Sequence, residues 1–248
     1  MKFNFIKWIR RFIFLVQKEL FIFCKKPSVY IASIIFSSIC ALNFFVVGQF
    51  FVPGKGASDL RLFFSVIPYI SALIIPFLTM DQWNTESNIF DQILPVTENQ
   101  IVLSKWFSCL IVSFLMLLPT LSVPVYVNIF GSVDFSQAVT GYIGIIFFQA
   151  LSCALGVFLA ALCKGKVSAF LLTTIILLFS CFVHFLPVYF TLPEWFSFIC
   201  RQISFPWHFD SAGKGIIDTR DFIFYSVFTF TFLALTIEYL KIKKRGCL

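Results

Sequence analysis

Six stretches of the chain, residues 29–52, 62–80, 102–130, 142–163, 167–190 and 222–240, are almost purely apolar over 19 residues or more. A helix rises ~1.5 Å per residue and the hydrocarbon core of a bilayer is ~30 Å thick, so a run of about 20 such residues is enough to cross it. With 59% hydrophobic and 12% charged side chains, and a mean hydropathy of +0.93, the chain has too little polar surface to cover a soluble globule. The expectation is an all-α polytopic membrane protein with six transmembrane helices, in which one membrane domain (residues 28–248) uses nearly the whole chain. Residues 1–27 stand before it.

Lys and Arg are enriched in cytoplasmic loops, and their distribution sets the orientation. With the N-terminus inside, segments 1–27, 81–105, 164–166 and 241–245 hold fourteen of them and the outer segments 53–61, 131–141 and 191–221 hold five. The reading is N-in and C-in. The net charge of +7 is then a topology signal plus attraction to anionic lipid headgroups, and no nucleic-acid partner is expected. The eight cysteines form no CxxC pair and have no nearby His at metal-ligand spacing, so neither a metal site nor a disulfide framework is expected.

Before the first span, Phe5, Ile9, Phe12, Ile13, Val16, Leu20 and Phe23 recur on one side of a helix, while Lys7, Arg11, Lys18 and Lys25 fall opposite. This predicts an amphipathic elbow helix on the inner membrane surface. A signal peptide is the alternative, but Lys18 and Glu19 interrupt its apolar part and no small-x-small cleavage site follows. Pro27 is expected to end the helix, because the residue before a proline is pushed out of the helical region.

Pro68 and Pro76 in the second span, and Pro119 and Pro124 in the third, predict kinks whose freed carbonyls neighbouring helices must satisfy. Ser152, Gly156 and Ala160 line one face of the fourth span with small side chains, favouring close packing within the subunit over a dimer contact. In the outer loop 191–221, Thr191 and Glu194 are spaced as a capping box for a short interfacial helix bearing Trp195, Ile199 and Ile203. A turn-rich stretch with His208, Gly213 and Gly215 follows, and Asp218 or Thr219 is placed to cap the last span, with Asp221 in its first turn.

With Lys105 assigned to the inner segment, the spans hold no acidic or basic residue but Glu238, near an inner end, and one histidine, His184. An ion-coupled carrier keeps charges in the membrane for its work, so that class is poorly supported. A phosphate-binding loop is missing, since Gly213-Lys214 has neither the upstream glycine nor the following Ser or Thr. Ser180 and His184, one helical turn apart, are the nearest approach to an intramembrane hydrolase, with no second activating group. No cofactor is expected to bind the chain directly.

The inner segment 81–105 carries more structure. Thr97, Glu98 and Gln100 read as N-cap, first residue and N3 of a capping box, so the third span begins in the cytoplasm, after a sharp turn at Leu94-Pro95-Val96. Trp83, Phe90 and Leu94 share one face of a short helix, with Asp81, Glu86 and Asp91 around it. That face reads either as an interfacial loop or as a docking helix for a cytoplasmic partner.

The order of these parts resembles the ABC type-2 permeases, and most of all the gliding-motility-associated branch of exporter permeases. The resemblance rests on Lys18-Glu19-Leu20 with Pro27, on Leu94-Pro95-Val96 with Gln100 to Lys105, and on His208-Phe209, Gly215, Ile217, Asp218, Arg220 and Asp221 before the last span. It covers the chain end to end. It departs in Thr79-Met80-Asp81, where the family has Thr-Met-Arg, in keeping only Glu86 of an acidic pair, in lacking a Gly-Thr, and in Ser104, where a Gly is usual. The resemblance implies a non-catalytic, dimerising permease subunit of the cell inner membrane. Its segment from Asp81 to Val96 would sit on a separate ABC ATPase subunit, which holds the ATP; the permease partner would be a second copy or a related chain.

Overall fold

The computed structural model describes residues 5–48, 60–83, 96–130, 134–190 and 193–245, and among these the regular structure is entirely helical. Helix α1 (Phe5–Lys25) is followed at once by α2 (Pro27–Leu42), which runs on through a π turn at Asn43–Val47. Lys26 between them is extended (φ −88°, ψ 112°), as its place before a proline requires, and Pro27 opens the next helix, where its missing N–H costs nothing. Helix α3 spans Arg61–Thr79. Helix α4 (Glu98–Leu117) passes through a 3-10 turn at Leu118–Leu121 into α5 (Ser122–Phe130). Then come α6 (Phe135–Leu162), α7 (Lys166–Phe182), a 3-10 turn at Val183–Phe185 and α8 (Leu186–Tyr189). Two short helices, α9 (Glu194–Ile203) and α10 (Phe205–Gly213), precede the last, α11 (Thr219–Arg245).

Among the described residues, five stretches are long and apolar enough to cross a membrane: Pro27–Val47, Arg61–Thr79, Glu98–Ile129, Phe135–Leu162 and Thr219–Arg245. The expected fifth span, 167–190, is instead a 17-residue helix broken at Val183–Phe185. Pro187 explains the break, having no N–H to give the carbonyl one turn back. The third span breaks for the same reason at Pro119, but its freed carbonyls are satisfied locally and not, as expected, by neighbouring helices. The Leu118 N–H donates to Leu115 O, Thr120 Oγ1 to Leu117 O (2.6 Å) and Ser122 Oγ to Pro119 O (2.8 Å).

Helix α6 is the hub, packed by α3, α4, α7, α10 and α11. Its small-residue face lies inside the subunit: Ser152 and Ala160 are buried, and a Cβ on Gly156 would come within 2.5 Å of Thr79 Oγ1. Helices α2 and α11 are the least covered. Ile31, Ile34, Ile39, Leu42, Val46 and Val47 of the first span are all exposed, a contiguous apolar surface that water would not tolerate and lipid would.

The long-range polar contacts fall into two groups at opposite ends of this bundle. One joins Lys26, Asp81, Lys166, Glu98 and Lys244; the other joins Leu60, Arg61, Gln137, Asp210 and Gly213. Helix α7 begins beside the first group, at Lys166, and its Ser180 reaches α10 beside the second.

Candidate functional site

The first group surrounds a cation with no exposure at all. Lys105 sits two turns inside α4, and its Nζ donates to Glu19 Oε1 of α1 at 2.9 Å and to the Gln82 carbonyl at 2.8 Å, with the Trp83 ring centroid 5.2 Å away. Gln82 returns the contact, its Nε2 donating to Lys105 O at 3.2 Å. A buried ammonium is tolerated only when its protons are satisfied and its charge is matched, and here two segments of the chain, α1 and residues 82–83, supply what one lysine needs. Glu19 is buried as well, with Lys18 Nζ 3.8 Å from the same carboxylate oxygen.

Further bonds extend this junction. Trp83 Nε1 donates to Val157 O of α6 at 3.0 Å, Gln100 Nε2 to Trp8 O of α1 at 3.2 Å, and Ser108 Oγ to Val16 O of α1 at 3.4 Å. Thr97 N–H donates to Gln100 Oε1 at 3.2 Å, so the cap expected of α4 is in place and Gln100 serves both α4 and α1. Below it, Asp81 is gripped by Lys26 (3.1 Å) and Lys166 (2.8 Å), which ties the start of α2 and of α7 to the end of α3. Burial works against the Asp81 charge, but the two lysines outweigh it and hold the carboxyl below the usual carboxylate range. Lys244 of α11 closes the ring on Glu98 at 2.9 Å.

Several expectations change here. Lys105, assigned to the polar loop, is a buried member of the third helix. The buried face of α1 is Leu15, Val16, Glu19 and Phe23, not the purely apolar stripe; Ile13 of that stripe is exposed, as are Phe14 and Phe21. The reason is the ion pair, which rolls Glu19 inward against α4. Asp81, Trp83, Lys18, Glu19 and Pro27 are all placed around the junction, and Val96 leads into α4 half-buried. Glu86, Phe90, Asp91, Leu94 and Pro95 lie outside the described residues. Gln82, and the pairing of Lys105 with Glu19, are not among the expectations, although Gln100, Ser104, Lys105 and Ser108 form a polar stripe on one side of α4 that faces the one acid on the apolar side of α1.

The opposite end is built differently. Gln137 of α6 accepts from Leu60 N (3.3 Å) and donates to Gly213 O (3.0 Å), Thr140 Oγ1 donates to Ala212 O (3.0 Å), and Tyr225 Oη to Phe205 O (2.7 Å). His208 lies on a helix, α10, and not in a turn-rich stretch. Its Nδ1 is 2.7 Å from Asp221 Oδ1, its ring stacks on Phe224 at 4.0 Å, and Ser211 Oγ donates to the other Asp221 oxygen. Asp221 lies in the first turn of the last span, as expected, and is also the seat of α10. Asp218 caps α11, its Oδ1 accepting from Arg220 N at 2.9 Å. Phe209 is buried, and Gly215 (φ +87°) turns the chain against the Gln137 backbone, a conformation only glycine takes without strain.

Helix α9 begins after Pro193, two residues later than a cap at Thr191 would place it, and Thr191 itself lies outside the described residues. Trp195, Ile199 and Ile203 are exposed along it, as an interfacial helix would have them. Ser180 Oγ donates to Ile203 O (3.1 Å) and accepts from Phe205 N (3.0 Å), so it pins the joint between α9 and α10; the His184 side chain lies outside what is described. No family model matches the chain, and no curated protein matches it at a significant level.

Proposed function

We propose that this chain is the membrane-spanning permease subunit of an ABC transporter, an exporter of type-2 architecture, resident in the cell inner membrane with both termini inside. On this reading α7 with its broken end is the fifth of six spans, since it starts beside Asp81 and ends beside α10, and ATP is bound and hydrolysed on a separate ATPase chain. Two copies, or one copy and a related permease, enclose the path. The carrying observation is the Lys105 junction. Residues 84–95 connect Trp83, whose indole is bonded to α6 and lies under Lys105 of α4, to Val96, which leads into the capped start of α4, where Gln100 is bonded to α1. A push on that inner segment would therefore move the elbow and the third and fourth spans as one body, which is what coupling to an external motor needs.

The test is co-purification of the tagged chain from membranes in mild detergent. Recovery of an ATPase chain, with ATP hydrolysis that falls when Lys105 and Glu19 are together replaced by Met and Leu, is the expected result. Recovery of the intact membrane protein with no ATPase would overturn the reading. The hydrolase reading loses support because the Ser180 hydroxyl already serves two backbone groups.

A further inference from the structure

The seam between α4 and α6 also holds a pair of thiols. Two contacts cross it, Trp106 Nε1 to Ala150 O at 3.0 Å and Cys109 Sγ to Cys153 Sγ at 3.3 Å, and Trp83, just after α3, bonds Val157 O one turn further along α6. Positions 150, 153 and 157 lie on one face of α6, which receives α4 at 150 and 153 and the Trp83 indole at 157. The two thiols, both wholly buried, face each other on that face, with an indole bonded to α6 on either side of Cys153. Of the cysteines among the described residues, only this pair meets.

We propose that Cys109 and Cys153 are a dithiol site that hydroperoxides oxidise to a disulfide, stapling α4 to α6 one helical turn from Lys105. Disulfide sulfurs lie ~2.05 Å apart, so the pair must close by about 1.3 Å, within reach of side-chain rotation. In the first step one thiol is oxidised by a hydroperoxide, giving a sulfenic acid and releasing water (or an alcohol, from an organic peroxide). In the second, the other sulfur attacks the sulfenic sulfur, the S–S bond forms and the hydroxyl leaves with the thiol proton as a second water. Two thiols lose two electrons, and the peroxide takes them. Small uncharged peroxides enter a packed seam where bulky alkylating reagents do not, so the site would respond to the former and ignore the latter.

The experiment uses the full chain in its own membranes. After hydrogen peroxide treatment the protein is denatured, alkylated with N-ethylmaleimide, digested and weighed. The expected result is a loss of two of the eight alkylatable thiols, a linked peptide pair containing Cys109 and Cys153, and return of both thiols on reduction with dithiothreitol. Cys109→Ser and Cys153→Ser should each abolish the linked pair. Eight alkylatable thiols after treatment, or a linkage through other cysteines, would overturn the proposal; the wild-type peptide map decides this even if a variant fails to fold.

Discussion

The two ends of the bundle solve the same problem by different means. At the Lys105 end, elements far apart in sequence are joined by charge: Lys105 to Glu19 across 86 positions, Lys244 to Glu98 across 146, and Lys26 and Lys166 to Asp81. At the α10 end, most joints are neutral side chains bonded to backbone, from Gln137, Thr140, Ser180 and Tyr225. Backbone acceptors are always present, whatever the partner residue, and such joints are short-ranged and rigid. Charged joints depend on both side chains, act at longer range and respond to protonation and salt. One end is built to be sensitive and the other to hold.

Breaking the charged end at its centre should have the largest effect. Lys105→Met leaves Glu19 buried without its main partner and should cost about 3–5 kcal/mol, while Glu19→Leu combined with Lys105→Met should recover most of the loss, because the pair is apolar together and ionic together. Thermal unfolding of the detergent-solubilised protein reads both. At the neutral end Tyr225→Phe strands the Phe205 carbonyl and should cost about 1–3 kcal/mol by the same measurement, with no dependence on salt.

Smaller effects sharpen the contrast. Asp81→Asn should lower stability by no more than about 1 kcal/mol near neutral pH. The folded carboxyl titrates below its unfolded value, so its contribution is complete above the ordinary carboxylate range of about 3.9 and disappears as pH falls through the folded value. Wild type and variant should therefore converge only in acid, and show a constant difference between pH 6 and 8. Lys244→Ala should change stability least, by about 0.5 kcal/mol or less, and by nothing at high salt, because that lysine is largely exposed.

The helices themselves were readable because apolar length and capping chemistry are local. Thr97, Gln100 and Pro27 do in the structure what their neighbours in sequence require. The junction was not readable, because it depends on pairing across many residues: nothing local to Lys105 says that Glu19 awaits it. Each charge taken alone reads as a boundary marker, one interrupting the elbow and one closing a loop. The break before α8 was missed for a simpler cause, since hydropathy counts Pro187 as tolerable while backbone hydrogen bonding does not. His208 was placed in a loop because glycines downstream dominated the reading, whereas the Pro206 before it is at home in the first turn of a helix.

The depth of Lys105 also bears on how the protein is made. A lone ammonium inside a nascent hydrophobic helix costs ~2.5–3.5 kcal/mol to insert at mid-helix on translocon scales. Glu19 leaves the ribosome 86 residues earlier, on a helix that can already lie at the membrane surface. When α4 emerges, its neutralising partner has already been made. The N-terminal helix is thus available to receive α4 during synthesis, and chains lacking it should insert the third span late or in the wrong register.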